Sequence, residues 1–135
     1  MPLYLADTSA WNRSGAAFAR WSGLVANAEL AVSPPVLLEI LYAARSSRDA
    51  DMLRDRLAAL PQFPLDDRAA AAALAVQAEL SERAQHRGPR PMDLLIAAVA
   101  EVNDAVLLHY GRHFDAIGRV TGQPMEWLAR RGSLD

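Results

Sequence analysis

The chain has 135 residues, of which 52% are hydrophobic, and its formal net charge is −2. A chain of this length buries a core of its own, and we expect one domain, residues 1–135. It contains no cysteine, which excludes disulfides, thiolate metal sites and cysteine nucleophiles. All 14 basic residues are arginines; the absence of lysine excludes Schiff-base chemistry and a P-loop lysine.

The first half of the chain alternates short apolar runs with capping and turn residues. Leu3 to Ala6 is apolar and ends in Asp7-Thr8-Ser9, and Ser33 followed by two prolines is typical of a helix start. The elements predicted here are a strand over 3–6, a helix or broken helix carrying Trp11, Phe18 and Trp21, a strand over 29–32, a helix from Ser33 to about Arg45, and a helix over about 49–60.

The second half repeats the alternation. Its predicted elements are a short third strand over 61–65, a long helix over 67–86 capped by Asp66-Asp67, a loop over 87–91, a helix over 92–103, a strand over 105–109 and an edge strand over 124–128. Strands that alternate with helices predict an α/β domain, with one parallel sheet and helices on both faces.

Location follows from the ends and the apolar runs. The N-terminus lacks the basic region of a signal peptide, and the longest apolar runs, 69–76 and 94–100, are too short to span a bilayer. We therefore expect a cytoplasmic protein with no membrane association. A net charge of −2 gives no overall attraction to nucleic acid, so RNA binding would depend on local arginines, on a metal, or on both.

Three carboxylates occupy positions that point to one site. Asp7 follows the first strand, Glu39 lies inside an otherwise apolar helix, and Asp93 begins another apolar helix. Ligands of parallel α/β sheets bind beyond the carboxyl ends of the strands, where all three acids would face. Each has a structural alternative: Asp7 as a helix N-cap, Asp93 as a dipole-favoured first-turn acid, and Glu39 as a solvated or arginine-paired side chain.

Converging carboxylates repel one another unless a hard cation lies between them. Mg²⁺ or Mn²⁺ suits a site whose ligands are oxygens and water, and such an ion can bind a phosphodiester and help generate a hydroxide nucleophile. Ser9 is a further candidate, either positioning Asp7, the water or a phosphate, or capping the helix.

Four stretches in register resemble the PIN-domain family, and specifically the VapC-like toxins of bacterial toxin–antitoxin pairs. They begin at Leu5-Ala6-Asp7-Thr8-Ser9-Ala10, at Ser33-Pro34-Pro35, at Asp93-Leu94-Leu95-Ile96 and at Val106, and together they span almost the whole chain. The resemblance implies a parallel sheet of four or five strands, Mg²⁺- or Mn²⁺-dependent endoribonuclease activity on structured RNA of the tRNA or rRNA class, homodimerisation, and a VapB-like antitoxin. It carries the catalytic and metal-binding roles onto Asp7, Glu39 and Asp93.

The chain departs from the family after its last central strand. Where the family has one or two further acids, this chain has Gly111-Arg112-His113-Phe114, and Asp115 is out of register by two residues. His113 could act as a ligand or proton donor, and Asp115 could reach the metal through water. The loss of these acids would weaken a second metal position first, leaving a one-metal site.

Three arginines near the expected strand ends, Arg87, Arg90 and Arg112, are candidates for RNA phosphate contacts; solvated loop positions are their alternative. The leading hypothesis is a toxin ribonuclease. The main alternative is a catalytically weakened PIN-like domain that acts through antitoxin binding and operator autoregulation. A phosphoryl-transfer or receiver domain with Asp7 as nucleophile is a third, disfavoured by the absence of lysine.

Overall fold

Four short parallel strands form the centre of the fold. The computed structural model describes residues 3–135. Its elements are, in chain order, β1 (Tyr4–Ala6), α1 (Thr8–Trp11), α2 (Phe18–Ala26), β2 (Leu30–Ala31), α3 (Pro34–Tyr42), α4 (Ser47–Ala58), α5 (Asp67–Glu82), α6 (Pro91–Val102), β3 (Val106–His109), α7 (Phe114–Thr121) and β4 (Met125–Trp127).

The strand order is β2-β1-β3-β4, and all pairings are parallel. The chain leaves β1 toward one edge of the sheet and, after β2, crosses to the other edge. The order therefore reverses between β1 and β3, which is where α/β sheets open a crevice at the carboxyl ends of their strands. The predicted fold class, a single parallel sheet with flanking helices, is confirmed.

Alternation along the central strands builds a core on each face of the sheet. Leu5 and Leu107 point to the face covered by α5, α6 and α7. Ala6 and Leu108 point to the opposite face, where Trp21 of α2 packs with them. Neighbouring side chains of a strand face opposite ways, and on β1 and β3 the side chains of both faces are buried. These strands are therefore accessible to solvent at their ends and not through their faces.

The strand predicted over 61–65 is wrong. It is reduced to a single parallel bridge between Val32 and Gln62, held by Val32 N–H to the Pro61 carbonyl at 2.9 Å and Phe63 N–H to the Val32 carbonyl at 2.8 Å. Pro61 and Pro64 have no N–H to donate, so the pairing cannot extend past this bridge. The sheet consequently has four strands in the part of the chain that the structure describes.

Helix α7 was not predicted from the sequence. Phe114 and Ile117, three residues apart, are buried on one side of it, and Gly122 ends it with a φ of 66° in the left-handed region. Apolar residues three positions apart, followed by a glycine C-cap, indicate a helix. This helix has only eight residues, which is too few for the apolar spacing to repeat clearly. The predicted first helix is broken into α1 and α2, and the helices predicted to Arg45 and to residue 86 end at Tyr42 and Glu82.

No helix among residues 3–135 is long and apolar enough to cross a membrane.

His109, the last residue of β3, is a buried histidine, only 2% exposed, and packs against Phe114 and Trp127 with ring centroids 5.1 and 4.8 Å away. Burial lowers the pKa of its imidazole from 6.5 to about 4. The neutral ring therefore fits the core and the charged ring does not.

We predict that this histidine makes stability fall with acidification. His109 takes up a proton near pH 6.5 in the unfolded chain and only near pH 4 in the folded protein. The contribution of neutral His109 to the free energy of unfolding is therefore full above pH 6.5 and is lost as the pH falls toward 4. The loss amounts to roughly 3 kcal/mol at most. Urea unfolding of the parent, His109→Gln and the exposed control His86→Gln at pH 7, 6 and 5 measures it. The parent and His86→Gln should lose stability more steeply than His109→Gln, and equal slopes in all three would contradict the prediction.

Candidate active site

A cavity of about 490 Å³ opens where β1 and β3 end. Its walls come from the start of α1, the middle of α3, the loop before α6, the first turn of α6 and the turn before α7. The residues lining it are Asp7, Thr8, Ser9, Asn12, Arg13, Glu39, Gly88, Arg90, Asp93 and His113. The three predicted acids are therefore brought to one cavity from positions up to 86 residues apart in the chain. We call it the acidic cavity.

Asp7 is both a helix cap and a cavity residue. Its Oδ2 accepts a hydrogen bond from Ser9 N–H at 2.9 Å, which is the N-cap role predicted as the alternative. Its Oδ1, however, is buried with no hydrogen-bond partner among the described residues. Burial raises the pKa of this carboxyl, and the charge of Asp93 adds to the rise, while hydrogen bonds from Ser9 oppose it. A capping residue alone would not need a second, desolvated oxygen.

Asp93 combines the same two roles. As the third residue of α6 it accepts the Arg90 N–H at 2.9 Å through Oδ2, so it caps its own helix. The same oxygen lies 3.3 Å from Nε2 of His113. The residue is 9% exposed and faces the acidic cavity.

Glu39 is held by a threonine. Its Oε1 accepts a hydrogen bond from the Thr8 hydroxyl at 2.6 Å, a contact between α3 and α1. The side chain is half-buried, and no arginine pairs with it within residues 3–135. The arginine-paired alternative is thus not what the structure shows. Thr8 was missed as a site residue because its partner lies 31 positions away.

Ser9 ties α1 to the end of β3. Its N–H donates to the capping carboxylate of Asp7, and its Oγ accepts the Tyr110 N–H at 2.9 Å. With one lone pair used by the backbone of Tyr110, the hydroxyl holds the two strand ends together. The roles predicted for Ser9, positioning Asp7, a water or a phosphate, or capping the helix, stay predictions.

The turn that follows β3 brings His113 into the acidic cavity. Its hydrogen bond with Asp93, opposed by partial burial, raises the pKa of the His113 imidazole. The ring lies over Gly111: a Cβ at that position would be 2.6 Å from Cε1 of His113. Only glycine leaves space for this ring position.

The remaining predicted residues divide in two. Arg90 lines the acidic cavity, whereas Arg87 and Arg112 are exposed and do not line it. Asp115 does not reach the cavity either. Its carboxylate lies 3.5 Å from Nη1 of Arg131 on the surface, because α7 turns it away from the strand ends.

Arg13 is a cavity residue that the sequence did not indicate. Its guanidinium lies 4.7 Å from the centre of the Tyr110 ring and 3.5 Å from the Ser9 carbonyl. A weaker contact reaches Asp135, at 4.0 Å. Its position is decided by the packing of α1 against the end of β3, and an arginine seven residues after a strand gives no sequence signal of its own.

The acidic cavity fits a hard divalent cation in its donor set. Its acids offer oxygen ligands of the kind that Mg²⁺ and Mn²⁺ prefer, and Asp7 has a buried oxygen without a partner beside the charge of Asp93. Among residues 3–135, no three Asp, Glu or His side chains are already drawn together as ligands.

A larger groove of about 750 Å³ adjoins the acidic cavity. It is mainly apolar, and it shares Thr8, Asn12 and Glu39 with the cavity while adding Trp11 and Tyr42 among others. Asp7, Asp93 and His113 line only the smaller cavity, whereas Glu39 lines both.

Sequence comparisons show the family. The chain matches the PIN domain family over residues 4–120. It is 36% identical to a protein of Mycobacterium tuberculosis named Ribonuclease VapC18, over 98% of this chain and 99% of that protein. A second protein of the same species, Ribonuclease VapC51, is 41% identical over 73% of this chain and 71% of its own length.

Solved structures show the same fold. A chain of DNA-bound VapBC from Salmonella typhimurium superposes with a TM-score of 0.76 at 20% identity, covering 96% of this chain and all of that one. VapBC2 from Rickettsia felis, bound to a promoter DNA fragment, gives a TM-score of 0.75 at 19% identity, covering 93% and 98%.

These findings confirm the ribonuclease hypothesis and do not favour the catalytically weakened alternative. PIN-domain ribonucleases of this kind depend on divalent metal. With a family match over 4–120 and a relative 36% identical along almost its whole length, the chain belongs to the PIN-domain family, among the VapC ribonucleases that serve as toxins of toxin–antitoxin pairs.

Proposed function

We propose that this protein is an endoribonuclease that hydrolyses phosphodiester bonds in structured RNA, of the tRNA or rRNA class, with Mg²⁺ or Mn²⁺ held by Asp7 and Asp93 and with Glu39 as the third essential carboxylate. One observation carries the proposal: Asp7 Oδ1 is buried without a partner, next to the charge of Asp93, in a cavity at the strand ends. A carboxylate so placed is costly unless it binds a cation.

A bound divalent cation supplies Lewis-acid polarisation of the phosphodiester and makes water more acidic. The chain's own residues supply position and proton transfer. Asp7 and Asp93 are fixed by backbone N–H groups of Ser9 and Arg90, so each presents its charge to the acidic cavity at a set angle. Glu39, oriented by Thr8, is the carboxylate not tied to a backbone cap. We assign to Glu39 the uptake of the proton that the attacking water releases as its oxygen bonds to phosphorus. The bond between phosphorus and the leaving ribose oxygen breaks, and that oxygen takes up a proton from solvent.

We assign the contacts with the RNA phosphates to the side chains of Arg13 and Arg90. Both line the acidic cavity, and the planar guanidinium binds phosphate through paired N–H groups. Arg13 is preorganised by the Tyr110 ring. Exposed Arg87 and Arg112 would contact phosphates farther along the strand.

The protein is also expected to have a protein partner and to act where RNA is present. Structural neighbours of the chain come from VapBC complexes, which supports a VapB-like antitoxin as its partner. We further propose a homodimer and action in the cytoplasm, where RNA is available.

The three carboxylates are tested by substitution. We expect Asp7→Asn, Glu39→Gln and Asp93→Asn each to lower the rate of RNA cleavage in Mg²⁺ or Mn²⁺ by about a hundredfold or more, because each removes a charge worth several kcal/mol at the transition state. The exposed acids Asp55 and Glu82 provide the matched controls Asp55→Asn and Glu82→Gln, which should keep parental rates. Cleavage that survives EDTA, or all three substitutions, would overturn the metal–carboxylate mechanism.

Asp7 also has a predicted cost in stability. Burial raises the pKa of the Asp7 carboxyl above 3.8, so the folded protein favours the protonated form. The stability that this form contributes is full below pH 3.8 and is lost as the pH rises through the raised pKa of the folded state. Asp7→Asn keeps an oxygen for the cap and removes the charge. In EDTA at pH 7 the variant should therefore melt at a higher temperature than the parent, with the difference shrinking below pH 4.

Adding Mn²⁺ supplies the matching control in the same thermal-shift experiment. The ion should raise the melting temperature of the parent by binding the folded state, and it should raise that of Asp7→Asn much less. A parent that melts above the variant in EDTA at pH 7 would show that the carboxylate is not desolvated as described.

Arg13 is tested through the salt dependence of binding. In a Glu39→Gln background, which suppresses cleavage, Arg13→Gln should weaken RNA binding and reduce the slope of log affinity against log salt by about one, the signature of one lost phosphate contact. Fluorescence anisotropy at several salt concentrations measures the slope, with exposed Arg48→Gln of α4 as control. An unchanged slope for Arg13→Gln would remove it from the RNA interface.

A further inference from the structure

The acidic cavity contains a nitrogen donor as well as oxygens. Nε2 of His113 lies 3.3 Å from Oδ2 of Asp93, and the imidazole lines the cavity together with Asp7 and Glu39. Its side chain is 38% exposed, so that the ring is reachable from solvent through the cavity. The other two histidines differ: His86 is exposed outside the cavity and His109 is buried in the core.

Gly111 makes this position of the ring available. A Cβ at residue 111 would lie 2.6 Å from Cε1, 3.0 Å from Nδ1 and 3.3 Å from Nε2 of His113, so any other residue would have to push the ring away. The ring also packs against Phe114, with centroids 4.6 Å apart. The glycine and the aromatic side chain are thus both neighbours of the ring, whose Nε2 lies toward Asp93.

The spacing of the two donor atoms suits a shared metal ion. Neighbouring ligands of an octahedral ion, each about 2.1 Å from the metal, lie about 3 Å apart. The 3.3 Å between Nε2 of His113 and Oδ2 of Asp93 is close to that separation. The two atoms now share a hydrogen bond. A shared ion would take the place of the proton between them, with Nε2 deprotonated and both donor atoms turned toward the ion.

We infer that His113 is a nitrogen ligand of the metal in the acidic cavity, that Gly111 provides the space for it, and that the site consequently selects Mn²⁺ over Mg²⁺. The inference rests on the proposed metal site. Mg²⁺ is best held by carboxylate, carbonyl and water oxygens, whereas imidazole nitrogen suits later and softer ions and follows the Irving–Williams order. A neutral nitrogen also brings no negative charge, which disfavours the harder ion further.

Pulsed EPR of Mn²⁺ bound to the full chain without RNA tests this directly, because a nitrogen bonded to Mn²⁺ gives a ¹⁴N coupling. We expect the coupling in the parent and its loss in His113→Ala and His113→Gln. Gly111→Ala should abolish it too, although the imidazole is still present, since the new Cβ takes the space of the ring. Two controls outside the site, His86→Ala and Gly23→Ala, should keep the signal; a Cβ at Gly23 meets no atom within 4 Å.

Isothermal titration calorimetry with Mn²⁺ and with Mg²⁺ measures the selectivity of the site between the two ions. Mn²⁺ affinity should fall about tenfold or more in His113→Ala and in Gly111→Ala, while Mg²⁺ affinity changes less. Circular dichroism verifies folding of each variant, and the independent His113 and Gly111 changes keep the test valid if one of them fails to fold.

The outcomes separate this inference from the function it rests on. Mn²⁺ that binds the parent, is lost in Asp7→Asn and shows no ¹⁴N coupling would overturn the role of His113 and leave the metal site in place; His113 would then be an ion-pair partner of Asp93 alone. A coupling that persists in His113→Ala would have the same meaning. Absence of Mn²⁺ binding to the parent would overturn both proposals.

Discussion

The parallel pairing of β1 with β3 is the constraint on which the site depends. It sets Ala6 opposite Leu108, and it continues one residue farther through the hydrogen bond from Asp7 N–H to the Leu108 carbonyl at 2.9 Å. Because both strands end at this level, the chain segments that leave them start side by side. The turn after β1 contributes Asp7, and the turn after β3 contributes His113.

That pairing is held on both faces by the hydrophobic core and at its end by Ser9. Leu5 and Leu107 pack on one face and Ala6 and Leu108 on the other, so a shift of register by one residue would exchange the two faces and bury the wrong side chains. The bond from Tyr110 N–H to the Ser9 hydroxyl closes the ladder where regular pairing stops. The positions of the residues in the acidic cavity thus depend on the packing of the core beneath it.

The cavity also concentrates charge at a cost. Asp7 is almost fully buried with one oxygen unpaired, and its neighbour Asp93 makes the ionised form less favourable still. The structure offsets part of this cost with backbone N–H donors at two helix starts, where the helix dipole also favours an acid. A buried, unpaired carboxylate oxygen is unfavourable unless a cation neutralises it, which is the basis of the proposed metal site.

The sequence by itself determined the parallel α/β class, most helix starts and the three acids. These follow from local causes: apolar runs that alternate with capping residues, Ser33 before two prolines, and a carboxylate after a strand or within an apolar helix. What local patterns cannot report is contact between distant segments. The pairing of Thr8 with Glu39, the arrival of Arg13 beside Tyr110, and the departure of Asp115 from the cavity depend on how helices pack on the sheet.

Gly111 and His113 show the division most clearly. In the sequence they were two separate departures from the family pattern, a missing acid and a histidine. Only the tertiary structure made them one feature, because the ring of His113 occupies the volume that a side chain at 111 would need and reaches Asp93 from there. The sequence set the chemical groups of the site, and the packing of α6 and the turn before α7 against the ends of β1 and β3 decided which of those groups meet.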